Sequence, residues 1–90
     1  MLKPSKAEIK ILCALADGST LKSHRYLDGT KIYQLHSLTG QVEPVQRRLV
    51  EALLLRGYII SNQKFPAATY SLTEPGREIA AHSNQVPHSM

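Results

Sequence analysis

Val45-Gln46-Arg47-Arg48-Leu49-Val50-Glu51-Ala52-Leu53-Leu54-Leu55-Arg56-Gly57-Tyr58-Ile59 carries a helix, its stop signal and the start of a strand. Val45, Leu49, Ala52 and Leu53 recur at the three- and four-residue spacing of one buried helix face. Gly57 stands where a helix C-terminus favours left-handed backbone. Tyr58-Ile59-Ile60 is aromatic and β-branched, as a strand start should be. Upstream, Pro44 suits the first turn of a helix, where its missing N–H costs nothing. These signals predict a helix over about 43–56.

Downstream, Asn62 to Ala68 contains Pro66 and reads as a hairpin loop, and Thr69-Tyr70-Ser71-Leu72 returns as a second strand. Thr73 is a helix N-cap, and Glu74 puts negative charge at the positive helix end. Gly76 permits close backbone packing against the hairpin, and Ile79, Ala80 and Ala81 continue a short last helix. The polar segment from Ser83 to Met90 is expected to fray.

At the other end, Ser5 and Glu8 form a capping box. Ile9, Leu12, Cys13 and Ala16, widened by Ile11 and Leu15, make the apolar face of a first helix over about 6–17, stopped by Gly18. Cys13 lies on that face and reads as a small core residue. Residues 19–29 are polar with Leu21, Tyr26 and Leu27 as anchors, either a short strand or a loop, closed by the turn Asp28-Gly29. Thr30 then caps a short second helix carrying Ile32 and Leu35 and ending near Leu38, before Thr39-Gly40.

Two helices joined by a tight Gly-containing turn are a helix-turn-helix, and a following hairpin makes it winged. The expected class is mainly α with a small β-hairpin: a three-helix core plus wing and a C-terminal helix. One domain spans 1–82, with 83–90 as tail. The two quoted segments also resemble the winged helix-turn-helix superfamily. Val45–Ile59 looks like its recognition helix and first wing strand. Tyr70-Ser71-Leu72-Thr73-Glu74-Pro75-Gly76-Arg77-Glu78-Ile79 resembles the Tyr-x-Leu-Thr-x-x-Gly-Arg-x-Ile that closes the wing. The multiple-antibiotic-resistance and phenolic-acid repressor families are similar in this segment. The resemblance implies a small DNA-binding protein of about residues 6–81, a transcriptional regulator with its third helix in the major groove of double-stranded DNA.

Composition sets bounds around this. Ninety residues leave room for one small core, and the aromatic set is four Tyr and one Phe, so the core is aliphatic. Eleven Lys and Arg against seven Asp and Glu give +4, which suits an acidic partner. One cysteine rules out a disulfide framework. The apolar run Ile11–Ala16 is short for a signal peptide, and no stretch approaches the ~20 apolar residues of a membrane span. A cytoplasmic protein without membrane contact is expected. The four His and Cys13 lack zinc-ligand spacing, and no nucleophile elbow or phosphate loop is present. No cofactor, metal or enzymatic activity is expected.

The candidate DNA contacts are Thr30, Lys31, Gln34, Gln41, Glu43, Gln46, Arg47, Arg48 and Lys64. Arg47 and Arg48 suit a base edge or phosphate, or a solvated face paired to Glu43 or Glu51. Gln41, Glu43 and Gln46 border that face with groups that match adenine or cytosine edges. Lys31 and Gln34 would sit against the DNA backbone, Thr30 at a helix N-terminus, and Lys64 at the wing tip. Residues 30–48 carry net +2. The alternative is a protein-interaction module or homodimer, with Leu54 and Leu55 as an apolar patch.

Overall fold

The first helix, α1 (Lys6–Ala16), starts where its capping box puts it. The Ser5 hydroxyl accepts from the Glu8 amide at 3.2 Å, and the Glu8 carboxylate accepts from the Ser5 amide at 2.8 Å. Ile11 and Leu12 are buried, with Cys13, Ala14 and Leu15 packed beside them. Desolvation, then the charge of Asp17, push the Cys13 thiol up, as befits a core residue and not a reactive thiol. The computed structural model describes residues 4–84.

After α1 come three strands: β1 (Thr20–Arg25), β2 (Lys31–His36) and β3 (Val42–Val45). Helix α2 (Arg47–Leu55) follows, then β4 (Ile59–Ser61), β5 (Ala67–Leu72) and α3 (Glu74–Asn84). All strands form one antiparallel sheet in the order β3-β2-β1-β5-β4. The architecture is therefore α+β with a five-stranded sheet, which overturns the expected mainly helical winged helix-turn-helix.

The correction begins at residues 31–36. Lys31-Ile32-Tyr33-Gln34-Leu35-His36 satisfies both periods. Ile32 and Leu35 are three apart, but Tyr33 and Leu35, two apart, are the buried pair. An isolated helix this short is marginal in water, whereas a strand here gains partners on both sides. Leu35 pairs with Leu21 of β1 and with Glu43 of β3. The two turn signals, Asp28-Gly29 and Thr39-Gly40, are the hairpin turns of this meander. Gly40 takes φ +93°, and the Ser37 amide donates to the Gln41 carbonyl at 2.8 Å. Residues 19–29 thus contain a full strand.

Pro44 is also corrected. It lies in β3, an edge strand, where a residue without N–H leaves no gap in a ladder. Helix α2 begins three residues later than Pro44, with Gln46 as its N-cap, so 43–46 are not helical. The hairpin of β4 and β5 exists, but it is not a free wing, because β5 also pairs with β1 over Leu21–His24.

After Gly57 the first strand and the last helix stand as read, while β5 begins two residues early, at Ala67 within the expected loop. The Thr73 hydroxyl accepts from the Gly76 amide at 3.2 Å, the N-cap bond of α3. A Cβ on Gly76 would lie 2.0 Å from the Tyr58 carbonyl oxygen, so only glycine fits there. Ser83 and Asn84 continue α3; the rest of the expected frayed tail lies outside the described residues.

All three helices cover one face of the sheet. Inward residues Leu21, Tyr33, Leu35, Ile59, Ala68 and Tyr70 form a single core with Ile11, Leu12, Val50, Leu53 and Ala80. The opposite face carries Lys22, His24, Gln34, His36 and Thr69 by strand alternation. Glu8 is buried and pairs with Arg56 at 2.8 Å, tying the start of α1 to the end of α2.

Candidate nucleic-acid interface

The sheet has one basic end, built by three connections that meet there. The first is the β1–β2 hairpin, closed by the facing pair Arg25 and Lys31. Its turn is held by the Thr30 amide donating to the Asp28 carboxylate at 2.9 Å, which also draws the Asp28 carboxyl below its ordinary range. Arg25 Nη1 donates to the Gly29 carbonyl at 3.2 Å.

The second is the β4–β5 loop. Asn62 Oδ1 accepts from the amides of both Lys64 and Thr69 at 3.1 Å. Ser61 Oγ accepts from the Gln63 amide at 2.9 Å. These bonds fix a loop tip carrying Lys64 and Phe65. The Arg25 amide donates to the Pro66 carbonyl at 2.9 Å, which ties this loop to the first hairpin.

Between hairpin and loop lies a cavity of about 260 Å³, lined by Ser23, Arg25, Lys31, Ser61, Gln63, Lys64, Phe65, Pro66 and Ala68. Three of these residues are cations and none is a carboxylate. Ser23 is 97% buried and accepts from the Tyr70 hydroxyl at 3.2 Å.

The third connection is the β3–α2 junction. Val45 faces Tyr33 across the sheet. The Lys31 ammonium sits 5.3 Å from the centre of the Tyr33 ring, and Arg47 lies within electrostatic reach of the same phenol. Lys31 and Arg47 therefore both lie near one tyrosine. Arg47 Nε donates to Glu51 at 2.7 Å; this hydrogen bond, and then the charge of Glu51, raise the Arg47 guanidinium above its ordinary value. Gln46 makes no side-chain cap bond to α2, so the first-turn amides of that helix have no side-chain acceptor.

The expected contacts divide. Lys31, Lys64 and Arg47 come to this end, with Thr30 beside Lys31. Thr30 is a turn residue and caps no helix, and Lys31 and Gln34 lie on a strand, not a helix. Gln34 points to the opposite face from Lys31, because the offset of three residues reverses sides in a strand. Gln41 is at the far end of the sheet, in the β2–β3 turn. Glu43 lines a groove with Ala7, Lys10 and Ile11. Arg48 donates to Gln46 Oε1 at 3.2 Å and lines a hollow with Ser5, Glu8, Leu49 and Ala52, toward α1. Arg47 and Arg48 are thus neighbours that serve different surfaces. The sequence reading gave no role at this end to Ser23, Tyr33 or Phe65. It noted Arg25 with Lys22 and His24 as a small basic cluster and left it unassigned as a charged loop, whereas all three lie on β1.

Among the described residues, no three His, Cys, Asp or Glu come together as metal ligands, and no helix is long and apolar enough to cross a membrane. No family model, no curated protein and no solved structure matches the chain.

Proposed function

We propose that this protein binds double-stranded DNA with the Arg25–Lys31 end of its sheet. On this reading it is a small transcriptional regulator of the cytoplasm, a binding protein and not an enzyme. The observation that carries the reading is the cavity ringed by Arg25, Lys31 and Lys64 with no carboxylate. Such a grouping repels itself in the free protein and is relieved by phosphate. Arg47, reached through the Tyr33 ring, extends the row, and the first-turn amides of α2 add partial positive charge.

The corrected fold changes how DNA would be held. Without a second helix to brace a recognition helix, contact rests on cations set on the sheet end and on the first turn of α2. Phosphate contacts fix position and carry little sequence information. Arg47 is the residue here with reach toward a base edge, since α2 presents it at its tip.

Fluorescence anisotropy with a random-sequence duplex at several salt concentrations tests this. Four cations on four phosphates give a log–log slope of about −3 to −4. Lys31→Gln with Lys64→Gln should flatten it by about 2 and lose more than tenfold in affinity at low salt. A wild type that does not bind at low salt would overturn the reading. The second reading, a protein-interaction module or homodimer, draws on Leu55, 89% exposed on α2, and on Ile60 of the β4 edge. It predicts self-association or partner binding that Leu55→Ser abolishes.

A further inference from the structure

We infer that the cavity between the β1–β2 hairpin and the β4–β5 loop is a subsite for one nucleotide bearing a terminal phosphate. The inference rests on the nucleic-acid reading above and names the chemistry of its deepest point.

Charge comes first. Arg25, Lys31 and Lys64 place three positive charges around one cavity, and no carboxylate lines it. Among the described residues neither lysine is in an ion pair. An internal phosphodiester offers a single negative charge. A phosphomonoester offers about −1.5 to −2 and three acceptor oxygens. The excess of cations over a diester is what a terminal phosphate would neutralise.

The floor comes second. Ser23 is buried, and its oxygen accepts from Tyr70. Its own hydroxyl hydrogen has no acceptor among the described residues, and it lines the cavity. A buried donor without an acceptor is costly, and a phosphate oxygen in the cavity would satisfy it.

Size and shape come third. Ligand sites for organic molecules usually run from about 300 to 1,000 Å³. At about 260 Å³ this cavity has space for one phosphate with its sugar, not for a dinucleotide. Phe65 lines it while 76% exposed. An exposed ring at the mouth offers the stacking platform that nucleobases take, irrespective of sequence. The bonds from Asn62 and Ser61 hold that loop in place before any ligand arrives.

The phosphomonoester has two sources, a DNA 5′ end or a free mononucleotide. The test is an amide-resolved NMR titration with thymidine 5′-monophosphate, and with thymidine as control. The monophosphate should saturate and move the amides of Ser23, Lys31, Lys64 and Phe65, and thymidine should not. Lys31→Gln and Lys64→Gln should each weaken binding about tenfold, and Phe65→Ala by less. Ser23→Ala should weaken it while leaving the amide spectrum folded. No shift at these amides with the monophosphate, or equal shifts with thymidine, would overturn the inference.

Three duplexes separate this from the interface itself. One is closed by loops at both ends, one ends in 5′-phosphates and one ends in 5′-hydroxyls. If the closed duplex binds and the monophosphate does not, the interface stands and the subsite falls. If the monophosphate binds and the closed duplex does not, the subsite stands and the duplex interface falls. Tighter binding of the phosphorylated ends than of 5′-hydroxyl ends identifies DNA as the source. Equal binding of the two, with the monophosphate bound, identifies the free nucleotide.

Discussion

Helix α2 has an arginine ion pair at each end, and the two pairs differ in burial and in what they join. At the C-terminal end Arg56 meets Glu8 at 2.8 Å, with side chains 30% and 7% exposed. Glu8 is also half of the α1 capping box, so two elements depend on one carboxylate. At the N-terminal end Arg47 meets Glu51 at 2.7 Å, with side chains 70% and 52% exposed. The distances are nearly equal, but the consequences are not. A buried carboxylate that loses its cation keeps the desolvation cost without the compensation. An exposed pair within one helix contributes little and is screened by salt. Arg56 therefore belongs to the fold. Arg47 is free to exchange Glu51 for a phosphate.

The comparison can be broken most forcefully from between the two arginines. Leu53 is fully buried beneath α2, and Leu53→Ala should cost about 2–5 kcal/mol in urea unfolding. A smaller loss would mean that α2 is not anchored as described and that neither end is well defined. Next is Arg56→Ala, which leaves Glu8 buried without its cation. We expect about 2–3 kcal/mol, below the full cost of breaking a buried pair because Arg56 is partly solvated. Removing both partners, Arg56→Met with Glu8→Gln, should recover part of that loss. Arg47→Ala sharpens the contrast: an unchanged melting midpoint together with about a tenfold loss of duplex affinity at low salt. The smallest effect is expected from Glu51→Gln. It frees Arg47 from its intramolecular partner and should raise duplex affinity by a few-fold, with the gain vanishing at high salt.

How much of this was legible depended on whether a signal was local. The capping box of Ser5 and Glu8, the N-cap Thr73 and the close approach at Gly76 each involve a few neighbouring residues, and each was readable. Residues 31–36 were not, because six residues cannot separate a period of 2 from one of 3.6 when Ile32, Tyr33 and Leu35 are all apolar. The better clue lay outside the segment. Asp28-Gly29 and Thr39-Gly40 lie eleven residues apart, a spacing typical of turns in a meander, and Pro44 next to them suits an edge strand.

The same misreading explains the errors at the site. In a helix Lys31 and Gln34 share a face, and in a strand they oppose each other. Lys31, Arg47 and Lys64 were recognisable as available cations. Their grouping with Arg25 was not, since it rests on pairing of Ser23 with Ala68, forty-five positions apart in the chain. No local pattern encodes such a contact.

The most direct test of the account is an amide chemical-shift map recorded during titration with a closed duplex at low salt. Shifts are expected at Arg25, Lys31, Arg47 and Lys64 and their neighbours. None is expected in the Ser37–Gln41 turn or at Leu55 and Ile60. Shifts centred on Leu55 and Ile60, or a duplex that moves no amide at all, would contradict it.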